Sequence, residues 1–188
     1  VNTNSMDTAD KERYDFQKGY AYFALKNNKE AAKHFNLVLN SATFGNQAKY
    51  YLGYISYASD DYKAANNYFD KVADQEKYQE KMGYFQADMN FKLGNFQKAI
   101  DLGITQLPKA NENEKSELSK IIGESYFNLK KYDLALPFLA DYKGKNGKWN
   151  NTDFYQLGYA YYKQKDYEKA ISEFNKIVGG KDATAQNA

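Results

Sequence analysis

Between Phe154 and Val178 the apolar residues recur at helical rather than strand spacing. Phe154, Leu157, Gly158 and Tyr161 fall at i, i+3, i+4 and i+7, one face of a 3.6-residue period. After the polar stretch Gln164-Lys165-Asp166, a second such face is formed by Ala170, Ile171, Phe174, Ile177 and Val178. The pattern predicts two short amphipathic helices joined by a tight turn. Gly158 and Ala170 are the small residues of the two faces. Antiparallel helices approach closely only where side chains are absent or tiny, so this pair predicts the crossing point of a helical hairpin.

The same design recurs along the chain. The small residue of the first helix returns as Gly19, Gly53, Ala87, Gly123 and Gly158, and the alanine of the second as Ala31, Ala65, Ala99, Ala135 and Ala170. Both series advance by 34, 34, 36 and 35 residues, a period that marks stacked helical hairpins. An aromatic opens the second helix at Tyr62, Phe96, Tyr132 and Tyr167, with Asn28 in the first repeat. A later aromatic stands at Phe35, Phe69 and Phe174 and is replaced by Gly103 and Leu139 in repeats three and four. Repeat three is the most degenerate, with Ala87 for glycine, Asn90 for tyrosine and Gly103 for phenylalanine.

Between the helices, Asn27-Asn28, Asp60-Asp61, Gly94-Asn95, Lys130-Lys131 and Lys165-Asp166 supply mostly turn or N-cap chemistry. Hairpins are therefore predicted near 11–42, 46–75, 79–108, 116–143 and 151–179. Residues 1–10 are polar and unpatterned, which predicts a disordered lead-in. Pro108 is expected to end its helix, because it lacks an N–H and disfavours helix at Leu107. Residues 144–151 form a polar loop that carries the chain's only tryptophan, Trp149.

Phe154-x2-Leu157-Gly158-x2-Tyr161, followed by Ala170 and Phe174, resembles the tetratricopeptide repeat (TPR). Phe154 stands for the tryptophan of its first position, and Asp182 stands where its closing proline would be. The resemblance covers about 12–184, in repeats near 12–45, 46–79, 80–113, 116–149 and 151–184, inside an array of 11–184. Residues 185–188 are left as the start of a further repeat or a tail. It implies an all-α fold, a right-handed superhelical solenoid of about five helix-turn-helix hairpins whose first helices line a concave groove. It further implies a non-catalytic scaffold, without a cofactor, that binds a peptide or helix of a partner protein. The tyrosine-rich style of the repeat is similar to bacterial arrays, including those of cell-envelope proteins. That likeness implies the periplasm or cell envelope rather than the cytoplasm.

In the family, groove-facing positions lie three before, one after and four after the small residue of the first helix. Carried over, they are Phe16, Tyr20 and Phe23 in repeat one and Tyr50, Tyr54 and Tyr57 in repeat two. Tyr84, Asp88 and Phe91 follow in repeat three, and Lys120, Glu124 and Phe127 in repeat four. Tyr155, Tyr159 and Tyr162 complete the set in repeat five. These rings either pack between neighbouring first helices or form a binding surface. Leu52, Ile122 and Leu157 already supply packing between helices, and contiguous exposed aromatic area is the usual mark of a partner site. The Lys/Asn/Arg clamp with which some TPR proteins grip a partner's C-terminal carboxylate is absent, since Phe16, Tyr20 and Tyr54 occupy its positions.

Composition narrows the alternatives. Aromatics reach 17%, with 19 Tyr among them, and a ring with a wet tip suits half-exposed faces. Such rings also stack on sugars, so a groove for a glycan or small ligand in a cell-envelope protein is the second reading. A net charge of +2 with interspersed signs, and Asp88 and Glu124 in the groove, argue against nucleic acid. Without cysteine there are no disulfides or thiolate metal sites. No run approaches the roughly 18 apolar residues of a membrane span. His34, the only histidine, reads as a packing or surface residue, and Asp60-Asp61, which lacks calcium-loop spacing, as an N-cap pair. Trp149 is either a ligand-stacking residue or a plug between two repeats. No GxxxxGK[ST], GxSxG or HExxH motif occurs, and no catalytic constellation is visible. Finally, the fifth hairpin matches the pattern well and has no capping helix after it. The face of Ile171, Phe174, Ile177 and Val178 is thus expected to be covered by a continuation past Ala188, or by end-to-end self-association.

Overall fold

Side-chain caps set the helix starts. Asp7, Asn27, Asp61, Asn111, Asn150 and Asp166 each accept a hydrogen bond from the backbone N–H three residues on, satisfying a donor that the first turn leaves free. The computed structural model describes residues 6–177, and among these the ten α-helices pair in sequence. They are α1 (Thr8–Ala24) with α2 (Asn28–Leu37), α3 (Gly45–Ala58) with α4 (Tyr62–Asp70), and α5 (Glu76–Lys92) with α6 (Phe96–Gln106). Then come α7 (Glu112–Asn128) with α8 (Tyr132–Asp141), and α9 (Asn151–Lys163) with α10 (Tyr167–Phe174). Lys26, Asp60, Gly94, Lys130 and Lys165, at one equivalent turn position in each hairpin, all have φ between 59° and 76°. Only Gly94 adopts this left-handed conformation without a Cβ penalty.

The chain divides between Met82 and Gly83 into two compact units. In the first, Ala31, Phe35, Val38, Ala48, Leu52 and Ile55 form a buried cluster between the two hairpins. In the second, Ala87, Ala99, Leu118 and Ile121 form one cluster, and Ala135, Leu139, Leu157 and Ala160 another.

The crossing point is tighter than a glycine-alanine pair. A Cβ on Gly19 would stand 2.9 Å from the Phe35 ring, and on Gly158 2.8 Å from the Phe174 ring. On Gly123 it would stand 2.9 Å from Leu139. The glycine thus receives the residue four beyond the alanine, while the alanine is buried beside it. Repeat three exchanges the roles. Ala87 has a Cβ, Gly103 has no side chain, and Ile122 of α7 fills the space, so that a Cβ on Gly103 would meet Ile122 Cγ1 at 2.7 Å. The glycine contact reappears one turn earlier, where Gly83 lies against the Gln106 side chain.

Two expectations need correction. The lead-in 1–10 is helical from Thr8, because Asp7 Oδ1 accepts the Asp10 N–H at 2.8 Å and starts α1 early; residues 1–5 lie outside the described residues. The second helices stop sooner than their apolar pattern: α2, α4 and α10 pass into turns, α6 into a 3-10 turn, and α8 into extended chain at Tyr142. In α10 this happens at Phe174, with the Asn175–Ile177 turn continuing the apolar face. That terminal face is only partly open. Ile171 is 58% exposed, Phe174 lies against Gly158 and Tyr155, and Ile177 is buried. Val178, the boundary at 179 and 184 and the tail 185–188 fall outside the described residues. Pro108 sits where α6 ends, in a 3-10 turn at Leu107–Lys109.

Candidate partner-binding faces

In the first unit, α1 and α3 bring the expected rings together through a residue that the carried-over positions omit. Tyr51 stacks on the buried Phe35 ring (5.1 Å between centroids, 9°) and contacts Tyr20 at 5.7 Å and Phe23 at 5.0 Å. Phe23 in turn meets Tyr54 edge-on at 5.5 Å. Tyr50 stacks on Tyr78 at 5.3 Å, and Tyr57 pairs with Tyr62 at 5.9 Å. Phe16, stacked on Phe44 at 4.8 Å and tilted against Phe35, belongs to the packing between the hairpins. Burial pushes the Tyr50 and Tyr51 phenols up, and the neighbouring phenols of Tyr54, Tyr78 and Tyr20 add to it. The position of Tyr51, two before the glycine, holds Gln17 in repeat one and Gln156 in repeat five. No recurring letter therefore marks it.

In the second unit the face has an aromatic half and a charged half. Phe127, Tyr132 and Tyr159 meet pairwise at 5.3–5.7 Å, Tyr155 stacks on Tyr159 at 5.9 Å, and Tyr162 follows at 6.2 Å. Lys163 Nζ lies over the Tyr159 ring at 5.2 Å. Phe91, by contrast, packs on Phe96.

The charged half is more buried than groove positions imply, since Asp88 and Glu124 are each 8% exposed. Asp88 pairs with Lys92 at 2.8 Å. Lys120 Nζ donates to Asp153 at 2.6 Å, stands 3.9 Å from Glu124 and lies over the Tyr142 ring at 4.6 Å. Asp153 is held by a capping box with Asn150, so the start of α9 aims its carboxylate at α7. Burial raises the Glu124 carboxyl, with the Lys120 ammonium opposing. Burial would lower Lys120, but the hydrogen bond to Asp153 and the charge of Glu124 hold it above its usual value. Tyr84 is pushed up to about 12 by burial, with Asp88 and Glu117 adding to the effect.

Trp149 is a plug. Its Nε1 donates to the Tyr142 carbonyl at 3.0 Å, and its ring lies on Tyr142 at 6.1 Å and Phe154 at 5.3 Å. His34 is a packing residue, stacked on Tyr22 and hydrogen-bonded through Nδ1 to Asp15 at 3.1 Å. Asp61 caps α4, and Asp60 accepts from the Tyr62 hydroxyl in the turn. Among the described residues, no three His, Asp or Glu side chains are grouped as a metal site, and no helix is long and apolar enough to cross a membrane.

Tetratricopeptide-repeat descriptions match residues 16–42 and 154–179, the first and last of the hairpins. These two hairpins are tetratricopeptide repeats. TPR hairpins build protein-interaction scaffolds, and this all-α chain has their architecture. It is similar to MamA of AMB-1 at 14% identity, with a TM-score of 0.75 over 89% of this chain and 90% of that one. It is similar to YrrB, described as a TPR protein with an unusual peptide-binding site, at 20% identity and a TM-score of 0.70 over 86% and 82% of the two chains. For PilF of Pseudomonas aeruginosa the values are 14%, 0.62, 93% and 79%. At these identities the likeness is one of fold. No curated protein matches the sequence.

Proposed function

We propose that this TPR chain is a non-catalytic scaffold that holds a peptide or helix of a partner protein against the aromatic faces of its first helices. One observation carries this reading. Each unit has a continuous row of rings that includes one 49% exposed, Tyr20 in the first and Tyr162 in the second. Tyrosines in such rows give broad, rigid, amphipathic contact at low entropic cost, which is the chemistry of interface anchors. The shared fold with YrrB supports the reading.

The test is selection of a displayed library of random peptides on the protein, followed by binding of the enriched peptides to two double variants. Tyr20→Ala/Tyr54→Ala probes the first unit and Tyr159→Ala/Tyr162→Ala the second. Each hot-spot ring is expected to contribute about 2 kcal/mol to binding, with the far-UV spectrum unchanged. Peptides that bind both variants as well as the parent overturn the proposal. So does a glycan array that captures the protein when no peptide does.

A further inference from the structure

Resting on that reading, we infer that the ring row of the second unit accepts a partner segment in which an aspartate or glutamate stands between apolar or aromatic residues. The carboxylate would pair with Lys163, and its neighbours would lie on the rings of Tyr159 and Tyr162.

A comparison of equivalent positions carries the inference. One and five residues after the small residue of the first helix, repeat three holds Asp88 and Lys92, and repeat five holds Tyr159 and Lys163. Asp88 and Lys92 close on each other at 2.8 Å. In repeat four, Glu124 takes the first of these positions, and Lys120, one turn earlier, stands 3.9 Å from it. In repeat five the acid is gone and the lysine remains. Lys163 Nζ lies 5.2 Å from the centre of the Tyr159 ring and 5.8 Å from that of Tyr162, and it makes no ion pair among the described residues. A π face attracts an ammonium without neutralising it, so an anion can still join.

The surrounding charge favours that anion. The two turns beside the row, 130–133 and 163–169, contain five lysines against three acids, Asp133, Asp166 and Glu168. Asp166 already caps α10 and holds Lys169 at 2.8 Å. The rings then decide what kind of carboxylate fits, because they stand on both sides of the ammonium. Tyr159 leads back to Tyr132 at 5.4 Å and Phe127 at 5.7 Å, and Tyr162 leads on to Tyr167 at 5.9 Å. Tyr162 and Tyr167 are 49% and 54% exposed. A segment lying along this row passes the cation in mid-chain, so the carboxylate it offers is a side chain and not a chain end. Apolar neighbours seated on the rings would exclude water from the pair, which strengthens an attraction that contributes little on an open surface.

The experiment selects displayed random peptides on the intact protein and sorts them with the two double variants, Tyr159→Ala/Tyr162→Ala for the second unit and Tyr20→Ala/Tyr54→Ala for the first. Both groups are then measured on Lys163→Gln and Lys163→Glu, with circular dichroism as the check of folding. Lys163 is exposed and pairs with no acid, so both variants are expected to fold. Second-unit peptides are expected to share an aspartate or glutamate between apolar residues. Lys163→Gln is expected to weaken them about tenfold, and Lys163→Glu more. Replacing the peptide's acid by its amide should give the same loss, with no further loss when both changes are combined. Moderate salt should weaken binding to the parent but not to Lys163→Gln. At the position of Lys163 the first unit has Ala24 and Ala58, so first-unit peptides serve as the control and should bind all three proteins alike. Second-unit peptides that lack an acid or tolerate Lys163→Glu overturn this inference and leave the scaffold reading standing. So does a library whose ring-dependent peptides all belong to the first unit. A library yielding no ring-dependent peptide overturns both.

Discussion

Gly53 and Phe69 touch so closely that a Cβ on the glycine would stand 2.5 Å from Cε1 of the ring. The contact locks α3 against α4, and it sets two effects of a single methyl group against each other. Helix propensity favours alanine over glycine by about 0.5–1 kcal/mol. Overpacking costs roughly 1–3 kcal/mol, and the fully buried Phe69 ring has nowhere to withdraw. Gly53→Ala is therefore expected to destabilise the protein, and Ala65→Leu more so. Urea denaturation followed by circular dichroism decides it; a stabilised Gly53→Ala protein would mean that the ring yields.

Tyr51 and Tyr20 lie on the same face but differ in what they hold. Tyr51 is stacked on the buried Phe35, so Tyr51→Ala should cost about 3 kcal/mol of stability. Tyr20→Ala, at a ring that is 49% exposed, should cost about 1 kcal/mol or less. Thermal melts of the two variants test the division between packing ring and presented ring. Equal losses would place Tyr20 in the core.

Glu124 links stability to pH. Burial raises its carboxyl above the ordinary 4.5, so the folded chain keeps this proton more readily than the unfolded one. Its contribution is fully present below the unfolded value and is lost as pH rises through the raised folded value. Glu124→Gln keeps the shape and removes the charge. The variant is expected to be more stable than the parent at neutral pH, with the gap narrowing toward pH 4. Stability measured by urea at both pH values checks this, and a variant less stable at pH 7 contradicts it.

Trp149 ties the loop before α9 to the end of α8. Trp149→Phe loses the hydrogen bond to the Tyr142 carbonyl and should cost about 1 kcal/mol. Trp149→Ala also loses the stacking on Tyr142 and Phe154 and should cost about 3 kcal/mol. Circular dichroism provides the readout, since the fluorophore is removed. Variants as stable as the parent would return Trp149 to the role of a ligand-stacking ring.

The repeat period, the hairpins and the turns were legible in the sequence because each depends on residues within a few positions of one another. A glycine at a crossing, an Asp or Asn at an N-cap and an apolar residue every third or fourth place are local requirements, and they recur at 34–36-residue intervals. The groove positions are what the family resemblance implies; helical spacing identifies the face of a helix but not the depth at which its neighbour buries it. Tertiary structure decided the rest. Tyr51 became the centre of the first face because Phe35 of the preceding hairpin lies beneath it. Lys120 and Asp153 found each other across 33 residues because one cap aims a carboxylate at the next helix. Repeat three keeps its packing with the wrong letters, since Ile122 enters from α7 where Gly103 leaves room. These are contacts between hairpins, and a pattern that repeats within each hairpin does not contain them.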